Sequence, residues 1–126
     1  MALNKLLAVA AMLEAATGLV LIVHPSLVSW LLLGEVVSGA GIVVGRVAGF
    51  ALLSLGLACW PGIDSAGVRN SALRALLAYN LLTTLYLAFL GLAGQPVGRL
   101  LWPAVALHAG MTFLLARAWF GVVRSG

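Results

Sequence analysis

Four apolar runs dominate this chain, about Leu3 to Val23, Ala40 to Trp60, Ala72 to Leu92 and Leu100 to Phe120. Each comes close to the roughly 20 residues that cross a bilayer's hydrocarbon at about 1.5 Å of rise per residue. Lipid offers no water to a bare N–H or C=O, so a span must close its hydrogen bonds within a helix or a closed barrel. Barrel strands are about half as long and alternate apolar with polar residues; these runs do neither. The sequence therefore predicts an all-α fold, a bundle of four transmembrane helices in a single integral membrane domain over residues 1–126. Composition agrees. Hydrophobic residues make up 63% and charged residues 8%, against about 45–50% and about 25% in a soluble domain, which excludes a water-exposed globule.

The connections carry breaking signals. Trp60-Pro61-Gly62 ends the second run, Asn70 or Ser71 offers an N-cap for the third, and Gly91, Gly94, Pro96 and Gly98 supply the next turn. Pro103 stands where the first turn of a helix tolerates it. The first connection, His24 to Gly39, contains an apolar stretch from Leu27 to Leu33 that is too short to span; after Pro25 it reads as a short helix at the interface. The start, with Lys5 before an apolar run and Ala8, Ala10 and Ala11, resembles a signal peptide. Because the run continues past Glu14 to Val23, it is read as a retained first span.

Seven Lys and Arg against three Asp and Glu give a formal charge of +4. The basic residues stand singly near the ends of apolar runs, a distribution that sets membrane orientation and does not form a nucleic-acid patch. With a cytoplasmic N-terminus, that side holds Lys5, Arg69, Arg74, Arg117 and Arg124, and the other holds only Arg99, with Arg46 set aside as intramembrane. Trp30 and Trp102 then mark the outer boundary, Trp60 and Trp119 the inner. The expectation is a multi-pass protein of a bacterial inner membrane with both termini cytoplasmic. The preference for Arg over Lys and the abundant Ala and Gly suit a GC-rich genome. Cys59 is the lone cysteine, so no internal disulfide forms, and it reads as small core filler.

Each span also carries one strongly polar residue far from its ends: Glu14, Arg46, Asn80 and His108. An ionised group near the bilayer centre costs about 2.5–3.5 kcal/mol on insertion scales unless paired or hydrated. Counted from the inner end of each span, Asn80 lies about 12 Å deep, Glu14 about 16 Å, His108 about 18 Å and Arg46 about 21 Å. Glu14 has Ala10, Ala11, Thr17 and Gly18 around it on its helix face, so it should point at a neighbouring helix. Gly41, Gly45 and Gly49 repeat every four residues, with Gly56 on the same face, and Arg46 flanks that face by roughly 100°. Asn80 shares a polar stripe with Thr83 and Thr84, and His108 shares a face with Ala104 and Thr112.

Two readings follow. In one, Glu14 and Arg46 form a buried ion pair, Asn80 and His108 bond across helices, and the set fixes register. In the other, the four line a pocket or proton path, with Glu14 as acid or proton carrier, Arg46 as charge partner or anion contact and His108 as a second titrating group. The glycine face offers close packing within the bundle or a surface for a membrane-protein partner or a second copy. No Cys or His pair has metal-ligand spacing, and there is no phosphate loop and no nucleophile with a base. No catalytic residue, metal site or cofactor is therefore assigned. His24 lies near the outer boundary, far above His108, so the two cannot share a haem iron; a single His ligand stays open.

Leu32-Leu33-Gly34, Arg46-Val47-Ala48-Gly49, Ala58-Cys59-Trp60-Pro61, Tyr79-Asn80, Leu101-Trp102-Pro103-Ala104 and Leu107-His108-Ala109 together resemble a set of small, uncharacterised four-helix bacterial integral membrane proteins. That resemblance covers most of the chain and implies no particular reaction. More distantly the layout is similar to the DoxX-like group, some of whose members are associated with quinone-linked sulfur oxidation or redox homeostasis. The expected role is a non-enzymatic accessory or assembly component. The alternative is binding or transport of a small quinone-like molecule or of protons, and enzymatic activity ranks third.

Overall fold

The computed structural model describes residues 2–62, 65–94 and 96–125. The described residues form five helices and no strand: α1 (Leu3–Val23), α2 (Pro25–Leu33), α3 (Ala40–Ala58), α4 (Ala66–Leu92) and α5 (Leu101–Ser125). All but α2 are long and apolar enough to cross a membrane. The fold is thus the predicted all-α bundle of four spans with a short helix between the first two.

The boundaries follow local chemistry. α1 ends where its apolar run ends. α2 begins on Pro25, whose missing N–H costs nothing at the first helical position. It stops at Gly34, in the left-handed region at φ 75°, with the Gly34 N–H donating to the Trp30 carbonyl at 3.0 Å. α3 ends two residues short of Trp60, because proline disfavours α geometry in the residue before it and Pro61 follows. α4 starts six residues before its apolar run. Its N-cap is Ser65, whose Oγ accepts from the Val68 N–H at 3.3 Å, and the caps expected at Asn70 or Ser71 lie inside the helix. Gly91 is likewise helical and makes no turn; a Cβ there would come within 2.7 Å of the Trp102 ring. Gly94, at φ 74°, makes that turn. α5 keeps Pro103 in its first turn and runs beyond Phe120 to Ser125.

The helices assemble as two pairs, α1 with α3 and α4 with α5, and the pairs meet mainly through α1, with α2 also reaching α5. In the first pair the backbones touch. A Cβ on Gly49 would sit 2.7 Å from the Gly18 carbonyl oxygen, and one on Gly56 would sit 2.6 Å from that of Ala11. The buried core gathers where the pairs join: Leu6, Leu7, Ala10 and Ala11 of α1, Leu73 and Leu76 of α4, Met111 and Leu115 of α5, and Cys59. At the other end, the segment after α4 crosses the end of α2. There Gly98 and Leu100 donate N–H groups to the Leu32 and Leu31 carbonyls at 3.0 and 2.9 Å, serving acceptors that a helix end leaves unmet. Large apolar side chains elsewhere face outward, among them Val44, Phe50, Leu82, Leu85 and Phe89, as a bilayer solvent requires.

Candidate functional site

Three of the four intramembrane polar residues come together. Glu14 on α1 and Asn80 on α4 are almost fully buried, at 2% and 1% exposure, and His108 on α5 is half-buried beside them. The Asn80 amide nitrogen donates to Glu14 Oε1 at 3.3 Å and to the Leu76 carbonyl at 2.9 Å. Both partners are acceptors, which fixes the amide: its nitrogen faces Glu14 and its oxygen faces His108 Nδ1 at 2.8 Å. Because the Asn80 oxygen can only accept, Nδ1 must carry the hydrogen, and the neutral imidazole then presents its lone pair at Nε2. A single asparagine thereby ties three helices and sets the tautomer of the histidine.

The chain of bonds is incomplete at one end. Glu14 Oε2 is buried and has no hydrogen-bond partner. Leaving such a group unmet costs about 1–3 kcal/mol, more when it is charged. The Tyr79 phenol lies beside the carboxyl without closing a hydrogen bond to Oε2.

Tyr79 completes the surroundings. Its ring meets that of His108 edge to face, with centroids 5.9 Å apart at 78°, and its phenol lies beside Glu14 and Thr83. It was not among the residues selected from the sequence. The available signal was the i, i+4 pair it makes with Thr83 on a face next to Asn80.

Arg46 stands apart, which corrects the expected ion pair. It is exposed, and its Nε donates to the Ile22 carbonyl at 3.2 Å near the end of α1. That level is eight residues beyond Glu14, about 12 Å along the axis. Similar depths for Glu14 and Arg46 would require the inner ends of α1 and α3 to be flush. The antiparallel register that sets Gly18 against Gly49 and Ala11 against Gly56 instead leaves α3 ending short of the start of α1. Thr84 and Thr112 donate back to the carbonyls of Asn80 and His108 on their own helices, both at 2.7 Å.

The glycine face divides its work within the chain. Gly49 and Gly56 pack on α1, Gly45 on Pro25 of α2, and Gly41 against Val37. Among the described residues no group of three or more His, Cys, Asp or Glu is placed to hold a metal. No family model matches the chain, and no curated protein or solved structure matches it.

Proposed function

We propose that this multi-pass protein binds a small lipophilic molecule bearing hydrogen-bonding groups, of quinone-like polarity, at Glu14, Asn80 and His108. The observation that carries the reading is the buried, unpartnered Oε2 of Glu14. Glutamine at this position would keep the bond to Asn80 at lower desolvation cost, so register alone does not account for an acid. The distant resemblance of its sequence layout to the DoxX-like group, some of whose members are associated with quinone-linked chemistry, is a further ground for the proposal. The membrane is a bacterial inner membrane with both termini cytoplasmic, a reading supported by the division of basic residues between the two sides, five against two once Arg46, near the outer end of α1, is counted with Arg99.

Native mass spectrometry of the protein gently extracted from its own membrane, beside Glu14→Gln, tests the reading. A defined small-molecule adduct on the native protein that is lost in the helical, inserted variant is the expected result. A bare chain, or the same adduct on both proteins, would overturn it. A second reading, an accessory or assembly component in which the cluster is only interhelical glue, is favoured by the way Asn80 joins three helices. It predicts a bare chain or a stable protein complex that the substitution leaves unchanged.

A further inference from the structure

Two cavities adjoin at the end of the bundle opposite the termini, where the α4–α5 connection crosses α2. The smaller, about 170 Å³, is lined by Trp30, Leu31, Gly34, Val97, Gly98 and Arg99. The larger, about 400 Å³, has Leu33, Glu35, Tyr86, Phe89 and Val97 among its walls. Val97 forms part of both.

Their chemistry is opposite. The side-chain polar groups of the smaller cavity are donors, the Arg99 guanidinium and the Trp30 indole N–H. The larger offers the Glu35 carboxylate with two aromatic rings. Among the described residues neither Glu35 nor Arg99 is in an ion pair; both are exposed, one on each of two cavities that share Val97. Below the larger cavity, Leu82, Leu85, Tyr86 and Phe89 make an outward apolar ridge along α4, each at least 60% exposed.

We infer that these adjoining cavities bind the headgroup of a zwitterionic, ammonium-bearing phospholipid. Its phosphate lies against Arg99 and Trp30, its ammonium lies against Glu35 beside Tyr86 and Phe89, and an acyl chain runs along the α4 ridge. Guanidinium and indole donors suit phosphate oxygens. A carboxylate flanked by aromatic faces suits an alkylammonium. Discrimination comes from the charge that each alternative leaves unmet. An anionic headgroup without an amine meets Glu35 as a like charge, and a lipophilic cation without a phosphate meets Arg99. The position fits a lipid, because Trp30 and Trp102 mark the membrane boundary at this end.

The test titrates the delipidated full-length protein in detergent with phosphatidylethanolamine and with phosphatidylglycerol of matched acyl chains, reading bound lipid by native mass spectrometry. Phosphatidylethanolamine should bind about tenfold more tightly, the scale of one charge-assisted hydrogen bond. Glu35→Gln should erase that preference and Arg99→Gln should weaken both lipids. Tyr86→Leu should weaken phosphatidylethanolamine alone, and Glu14→Gln should change neither. Soluble glycerophosphoethanolamine should not displace the lipid at equal concentration. Equal binding of the two lipids, a preference that survives Glu35→Gln, or displacement by the soluble headgroup would each overturn the inference.

Discussion

Asn80 makes the polar cluster a single unit. Its amide has two donors and an acceptor engaged, and only that arrangement fixes His108 as the Nδ1–H tautomer while holding one oxygen of Glu14. Arg46, the residue that electrostatics would most readily pair with Glu14, instead bonds a backbone carbonyl a dozen ångströms away along the helix. Sites further apart than about 7–10 Å with no shared partner add within about 0.3–0.5 kcal/mol. Glu14→Gln and Arg46→Gln should therefore be additive in stability, with Arg46→Gln alone costing about 1 kcal/mol, the worth of one hydrogen bond to the backbone. Unfolding of the two single variants and the double variant in mixed micelles measures the coupling, and a coupling above about 1 kcal/mol would restore the ion pair. The sequence made Glu14, Asn80 and His108 conspicuous because each is costly in lipid. It could not exclude Arg46, since depth along one helix says nothing about how far its neighbour is shifted.

Helix lengths and turns were legible for the opposite reason: they depend on local chemistry. The apolar run sets α1, Pro25 and Gly34 set α2, and Pro61 closes α3. The start of α4 was harder to read, because Ser65 caps six residues of helix that the hydropathy of the run does not include. The glycine spacing also showed that a close approach exists on α3, though a period of four cannot name the helix that approaches. The structure names α1, and that makes its glycines unequal to others. Replacing a helical glycine by alanine ordinarily gains about 0.5–1 kcal/mol through backbone entropy. Gly110 on α5, with nothing within 4 Å of a new Cβ, should show that gain. Gly49→Ala would push a Cβ to 2.7 Å from the Gly18 carbonyl oxygen and 2.9 Å from the Ile22 nitrogen. Both are backbone atoms that no rotamer change can clear, so the α1–α3 pair must separate at a cost of about 1–3 kcal/mol, typical of overpacking. Thermal unfolding of the two alanine variants checks the contrast, and equal midpoints would refute the close approach.

At the scale of the molecule, two tightly packed pairs meet along a narrower joint, chiefly through α1. In lipid an apolar joint gains no hydrophobic driving force, because the acyl chains that leave are as apolar as the leucines that replace them. What remains is close packing and hydrogen bonding between helices. Leu7, Leu73, Leu76 and Leu115 supply the packing, and the bonds from Asn80 to Glu14 and His108 supply the directional part, one across the joint and one within the second pair. Sequence could mark the polar residues and the small ones, but the joint is a property of the register between pairs, which no single helix records. The connection at residues 59–65 is the only covalent link between the pairs, so residues 1–62 and 63–126 expressed as separate chains should insert independently and co-purify. An interhelical hydrogen bond in a membrane averages about 0.6 kcal/mol, and the single one that crosses the joint corresponds to about a threefold change in association. Asn80→Leu in the second fragment, which removes its bond to Glu14 and leaves His108 Nδ1 without its acceptor, should reduce co-purification about threefold while each fragment still inserts. Gly110→Ala, remote from any contact, should leave it unchanged. Co-purification indifferent to Asn80→Leu would mean that leucine packing alone holds the joint and that the polar chain is free to serve another purpose entirely.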